Sequence, residues 1–574
     1  MSRFQTTSKI KEHKNKKISL SVLLTSMLLL TSCAGKFIPT SDNFTVTPQV
    51  LVSEGGKVNA TVDGNFPAKA FPTTAIVTIT PVLKYNGGEA EGTPITLQGA
   101  KVKGNNKVIA KTGGTFSVSS VFNYIPAMAK SELYVRFTTT IGKKTIATPE
   151  IKVADGVIST ETLANALTGK TSMATDKFQR NIKETQDANI LFLIEQSKIR
   201  NTELKGQSLT ALNAKIAETA KDSTRKISGI EVSSYASPDG TVALNEKLAG
   251  DREKATVAFL ESTLKKVKAN GAIDAKFTAE DWEGFKDLVS KSDIQDKDLI
   301  LRVLSMYNDP EQREEQIKNM SSVFKVLAEE ILPQLRRSKM TLNVDIIGKT
   351  DAALKDFALN NPTALNLEEL LYAANLVKGA NQAKVYTAAA SQFPNDYRAF
   401  NNLGAIALKA GNLTAAKSNL EKAYALSKTP DVNNNLAIYS IATGAPAVTV
   451  DSYIGAAGGA EGSNETMGVQ YLKKGQYAKA VQAFGDAKSN NAALAQLLTK
   501  DYSKAKSTLD AVPSPTAETS YLKAIVGART NNKDLVISGL TGAIKADKSY
   551  AKKAQNDLEF SKFVTDPTVA ALLQ

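Results

Sequence analysis

Tyr235-Ala236-Ser237-Pro238-Asp239-Gly240 is the stretch on which the reading of this 574-residue chain turns. Residues 226–235 before it are strand-like, and its Ser-Pro-Asp-Gly is turn chemistry. After it, residues 245–266 place Leu248, Val257, Leu260 and Leu264 at helical spacing. Working outward, residues 188–194 form another apolar, strand-like run, and residues 208–220 carry Leu209, Leu212, Ile216 and Ala220 on one helical face. Residues 340–347 alternate as a strand does. The order β-α-β-α, an insertion, then β predicts an α/β domain over residues 175–350, a sheet covered by helices. The insertion, about 270–335, is expected to be all-helical and holds the only tryptophan, Trp282. Asp281 and Glu283 flank it. Two apart on a helix they point in different directions, so acidic residues at a helix start are expected rather than a catalytic pair.

The same stretch, followed by Leu244-Asn245-Glu246-Lys247-Leu248 and Arg252, resembles the signature of OmpA-like C-terminal domains. In that pattern a strand ends in Gly-His-Thr-Asp, and a helix opens Leu-Asn-x-x-Leu-Ser-x-x-Arg. The resemblance implies an OmpA-like fold and a candidate contact with peptidoglycan. Family members that bind the wall use the aspartate and the helix arginine around the diaminopimelate of the stem peptide. That ligand carries an ammonium and a carboxylate, so one residue of each sign can read it. The arginine matches Arg252, whereas the aspartate position holds Ser237, with Asp239 two residues on. Ser237, Asp239 and Arg252 are therefore the candidate peptidoglycan-binding residues. The alternative for Arg252 is an ordinary helix arginine paired with an acid on its own surface. Arg336-Arg337, before the last strand, resembles the basic pair at that place in the family.

On the N-terminal side, residues 42–157 read as all-β. The runs 44–47, 57–62, 75–83, 115–118 and 133–138 are rich in Val, Thr, Ile and Phe, and Asp63-Gly64, Asn86-Gly87-Gly88, Gly113-Gly114 and Gly142 separate them. About seven strands are expected, in a sandwich similar to an immunoglobulin-like module. On the C-terminal side, residues 360–574 contain helical repeats. Asn402-Leu403-Gly404, Gly411-Asn412-Leu413, Ala416, Leu420 and Ala423 keep tetratricopeptide (TPR) spacing. Gly468, Tyr471, Gly475-Gln476-Tyr477, Ala480, Phe484 and Ala487 are a cleaner copy. Residues 365–394 resemble a degenerate leading repeat, and 493–512 and 521–543 shortened trailing ones. Such a solenoid presents a groove to a protein partner, or packs it on the chain's own middle domain. The glycine-rich residues 455–462 lack the Gly-Lys-Ser/Thr ending of a phosphate loop and read as a flexible linker between repeats. The expected fold class is thus multidomain: an immunoglobulin-like sandwich, an α/β OmpA-like domain with a helical insertion, and an all-α TPR-like solenoid.

The first residues set the address. Lys9, Lys11, Lys14, Lys16 and Lys17 form a basic region, residues 18–30 a mostly apolar run, and Leu30-Thr31-Ser32-Cys33 follows. Thirteen helical residues rise about 20 Å, short of a hydrocarbon core of about 30 Å. Residues 1–32 therefore read as a signal peptide. The residues around Cys33 resemble a lipobox, which implies cleavage before Cys33, acyl chains on it, and membrane attachment through that lipid, with 33–41 as the lipidated linker. An ordinary signal peptide that happens to contain a cysteine is the alternative. By resemblance to the sorting rules of bacterial lipoproteins, Ala34 in place of aspartate does not look like inner-membrane retention and the lack of an acidic cluster after it does not look like surface export, which implies the outer membrane, facing the periplasm. Beyond residue 32 there is no histidine and no second cysteine, since His13 and Cys33 are the only ones. Ser-His-Asp or Cys-His catalysis, a disulfide and a Cys/His metal site are thereby excluded for that part, and no cofactor is expected. The first 32 residues hold six of the 71 Lys and Arg and one of the 57 Asp and Glu, so the net charge falls from +14 to +9 beyond them. Those charges are dispersed and form no basic stripe with interleaved aromatics, which speaks against nucleic acid.

As a whole, the chain resembles envelope lipoproteins of Bacteroidetes that join these three modules. The resemblance implies a location and an architecture more than an activity, and the leading expectation is a non-enzymatic scaffold or adaptor that holds a protein partner in its repeat groove. A direct peptidoglycan anchor is the second reading. A glycan hydrolase working through a Glu/Asp pair is the third, but no acidic pair is set apart by its context.

Overall fold

A computed structural model of the chain describes residues 39–574, apart from the side chains of residues 321–323. The leader segment, the first part of the 33–41 linker and Cys33 lie outside the described residues. The described chain divides into two compact units, one of the residues up to Ala174 with Pro394–Gln574, the other of Thr175–Phe393.

In the first unit, Lys57–Phe66 and Gly114–Asn123 bury every second residue, the period imposed by a sheet with one covered face. They pair antiparallel, with Val58 opposite Phe122, Val62 opposite Val118 and Gly64 opposite Phe116. A Cβ on Gly64 would meet the Phe116 ring at 2.2 Å, so glycine makes room for that ring. Ala75–Tyr85 and Ser131–Ile141 form a second antiparallel ladder, with Ile79 opposite Phe137 and Leu83 opposite Leu133. Both ladders face one hydrophobic core. Val50–Glu54 links the two layers, pairing antiparallel with Lys57–Phe66 and parallel with Ile151–Ile158. Eleven strands join in this network, where about seven were expected. The five runs quoted above all lie on strands, and three of the six additional strands, Gly88–Glu91, Lys107–Ile109 and Lys144–Ala147, are short ones at the edges.

Residues 394–574 of the same unit are helical hairpins: Tyr397–Lys409 with Leu413–Leu426, Pro430–Ala442 with Ala447–Ala456, Ser463–Lys473 with Tyr477–Phe484, Asn490–Leu498 with Tyr502–Asp510, and Ala517–Arg529 with Lys533–Ala546. The repeat motif has a physical basis here. Gly411 sits at φ +68°, closing one helix in a left-handed turn, and the Asn412 side chain caps the next by accepting from Ala415 N. Gly404 and Gly468 let the paired helices approach, since a Cβ would come within 2.6 Å of Leu420 and 2.7 Å of Phe484 respectively. The hairpin 430–456 has no counterpart among the repeats read from sequence. Gly455 and Ala456 belong to its second helix.

In the second unit, the strand order is Asn181–Leu191, Arg337–Ile347, Arg225–Tyr235, Ile273–Thr278. The last two strands are parallel and the other pairs antiparallel. Helices Gln207–Lys221 and Val242–Val267 cover one face, packing Leu212, Ile216, Leu260 and Leu264 on Ile190, Ile230, Val232 and Leu342. Ile273–Thr278 corrects the all-helical expectation for 270–335. The helical part begins at Trp282 and carries its own core of Phe285, Val289, Ile300, Leu304 and Leu335. Asp281 caps its first helix by accepting from Gly284 N, as expected for an acidic helix start. Helices Asp351–Asn360, Leu367–Asn375 and Ala380–Gln392 complete this unit.

Candidate functional site

Ser237, Asp239 and Arg252 meet where strand Arg225–Tyr235 ends and helix Val242–Val267 runs back along the sheet. Thr241 starts the helix by accepting from Leu244 N. From there the buried stripe is Asn245, Ala249, Arg252, Thr256, Leu260 and Leu264. Its N-terminal half is polar, so those polar groups require partners inside the protein.

They have them. Arg252, only 1% exposed, donates Nε to Gln196 O at 3.0 Å, Nη1 to Tyr235 O at 2.9 Å and Nη2 to Leu193 O at 3.3 Å. Burial, aided by the nearby Arg336 charge, depresses its pKa to about 10, which leaves it protonated at neutral pH. Asp239 pairs with Arg336 rather than Arg252: Arg336 Nη2 lies 2.8 Å from its Oδ2. Ser237 sits between them, accepting from Arg336 Nε at 3.0 Å and donating to Asp239 Oδ1 at 2.6 Å. Asn245 donates to Gly240 O and to Glu280, which in turn accepts from Trp282 Nε1. The three candidate residues line one cavity of about 40 Å³, room for one or two waters. In this arrangement Arg336 and Asp239 neutralise each other, and Arg252 is held by three carbonyls. A ligand bearing an ammonium and a carboxylate would have to part Arg336 from Asp239 and draw Arg252 off its carbonyls.

A second polar assembly lies on the helical hairpins. The first helices of successive hairpins pack on one another, and a strap of residues 159–174, with short 3-10 helices at Thr160–Leu163 and Ala166–Thr168, crosses them. Three asparagines each grip one strap residue by both its main-chain groups. Asn402 Oδ1 accepts from Ala174 N at 2.7 Å and its Nδ2 donates to Ala174 O at 3.0 Å. Asn435 does the same to Ser172, at 2.9 and 2.7 Å. Asn491 does so to Asn165, at 3.0 and 2.8 Å. Asn401 adds a bond to Ser172 O, and Asn434 one to Ser172 Oγ. A carboxamide carries the same donor and acceptor as a peptide group. The asparagines thus act on the strap as a neighbouring strand would, satisfying backbone that burial would otherwise strand.

The N-terminal end of the strap is pinned by buried charge. Glu161 accepts from Ser53 Oγ, Gly55 N, Gly56 N and Tyr477 OH at 2.6, 2.6, 2.9 and 2.7 Å. It so ties a hairpin turn of the β-rich region to the helical hairpins, and burial together with this carboxylate pushes the Tyr477 phenol well up. Glu559 binds Thr160 Oγ1 and takes Arg529 Nη2 at 2.6 Å.

The sequence reading named Ser237, Asp239 and Arg252, and the fold brings them together. It missed Arg336 as their partner, and the whole asparagine row. The signal available was the pair Asn401-Asn402 recurring one repeat later as Asn434-Asn435, polar doublets on helices otherwise apolar. Compared with known protein families and with characterised proteins, the chain matches none.

Proposed function

We propose that this protein is a non-enzymatic scaffold of the bacterial outer membrane, attached by lipid on Cys33 and facing the periplasm. In this reading the N-terminal module is an immunoglobulin-like spacer, Thr175–Phe393 carries an OmpA-like domain, and the TPR-like hairpins hold a protein partner. The observation that carries it is the strap: buried asparagines grip the chain's own backbone, and Glu161 gathers Gly55 N, Gly56 N, Ser53 Oγ and Tyr477 OH, tying the β-rich region to the helical hairpins. Such an arrangement serves to hold modules in place. The gathering of Ser237, Asp239 and Arg252 around one cavity supports the second reading, a peptidoglycan anchor. Against it stand the pairing of Asp239 with Arg336 and the three carbonyls on Arg252. Sedimentation of the non-lipidated protein with intact peptidoglycan separates the two. A scaffold stays in the supernatant, whereas an anchor pellets and is released by free diaminopimelate-containing stem peptide.

A further inference from the structure

The row of first helices is filled by residues 164–174 of the same chain, and the manner of filling is informative. On the strap, the clamps of Asn402 and Asn435 touch only the main-chain N–H and C=O of Ala174 and Ser172, so there they select an extended conformation and no particular sequence, whereas Asn491 grips the Asn165 main chain and also donates to Thr168 Oγ1. The strap side chains buried there are small: Ala164, Ala166, Thr171, Ser172 and Ala174 are each no more than 4% exposed. No large apolar side chain of the strap is fully buried there; Leu163, Leu167 and Met173 are half-buried. The fit is also incomplete, because Asn434 Oδ1 and Thr171 Oγ1 are buried without a hydrogen-bond partner. Hydrogen bonds that exchange for bonds to water give a modest net hold. The covalent tether adds to that hold, setting an effective concentration on the order of millimolar.

We propose that the strap is a displaceable, self-supplied occupant of a peptide groove. In its place the groove accepts an extended segment of a partner protein with small side chains at the clamped positions. This rests on the scaffold reading and deepens it, naming the class of ligand and the device that keeps the groove closed without it. The strap backbone runs close by at Gly462, where a Cβ would stand 2.1 Å from Lys170 O, while the Lys170 side chain pairs with Glu461.

The test uses the full chain and, as probe, a dye-labelled synthetic peptide of residues 162–175 followed by fluorescence anisotropy. Ser172→Arg with Ala174→Arg makes the strap too large for its site. This variant is expected to bind the peptide saturably, with an apparent affinity at least about tenfold tighter than the wild type shows. Adding Asn402→Ala and Asn435→Ala is expected to abolish that binding. A thermal melt accompanies each protein, and the peptide is expected to raise the midpoint of the double-arginine variant. The proposal is overturned if that variant folds and ignores the peptide, or if the asparagine changes leave binding intact. It is equally overturned if the variant fails to fold and the peptide does not restore it, since the strap is then core rather than ligand. The probe is the chain's own sequence, so this outcome is independent of whether a cellular partner exists.

Discussion

Glu161 and Arg252 are buried charges whose partners all belong to the protein, and their substitution should report on stability before function. A glutamine at 161 would turn an amide donor toward groups that are themselves donors, Ser53 Oγ, Gly55 N, Gly56 N and Tyr477 OH. Glu161→Gln is expected to destabilise the first unit by about 2–4 kcal/mol in denaturant unfolding. Arg252→Met strands the carbonyls of Leu193, Tyr235 and Gln196 and is expected to cost about 3 kcal/mol, so loss of wall binding in such a variant means nothing without a melt. Asp557 makes a pH prediction. Burial pushes its carboxyl up, against the lowering effect of Tyr521 OH at 2.6 Å. A folded-state pKa above the unfolded one means its contribution is fully present below about pH 4 and is lost as pH rises through the folded value. Asp557→Asn should therefore gain midpoint temperature relative to wild type at pH 7, and the gain should shrink as pH falls to 4. Arg252 was legible as a candidate because its spacing from Gly240 is a chain property. That its guanidinium ends on three carbonyls depends on the 193–196 turn, remote in sequence, and no local pattern encodes that.

The strap makes the clearest case among the elements. Gly459 and Gly462 both have left-handed φ, +84° and +79°, but only Gly462 faces the strap; a Cβ at Gly459 meets nothing within 4 Å. Gly459→Ala should cost about 1 kcal/mol of backbone strain. Gly462→Ala should cost about 1–3 kcal/mol more, because Lys170 must move as well. Equal costs would mean that the strap does not lie there. The same element shows where sequence reading stops. Helix Pro430–Ala442 is buried nearly all round, by its neighbours on one side and the strap on the other, and its Asn433-Asn434-Asn435 run interrupts apolar periodicity at the place that grips Ser172. The hairpin it opens was therefore missed. Ile273–Thr278 was missed for the opposite reason: an edge strand of six residues with Asp274, Lys276, Phe277 and Thr278 exposed offers little apolar signal between two helical stretches. The long strands with full alternation, and the hairpins with glycine at helix contacts, were legible because their signals are local.

For the whole molecule, the module order β-rich then mostly helical follows from periodicity. The grouping of residues up to Ala174 with Pro394–Gln574 does not, because it is made by contacts more than 200 residues apart in sequence. The membrane reading is tested by Cys33→Ser, which should move the protein from the membrane to the soluble fraction of the cell envelope and remove incorporation of labelled palmitate. The most direct test of the account as a whole is hydrogen exchange of the full chain, read by mass spectrometry on peptides covering residues 162–175. If the asparagine clamps hold the strap, the amides of Asn165, Ser172 and Ala174 exchange at least about a hundredfold more slowly than an open chain, and Asn402→Ala with Asn435→Ala releases those of Ser172 and Ala174. Exchange of the strap at open-chain rates, while helices Tyr397–Lys409 and Pro430–Ala442 stay protected, would contradict the account.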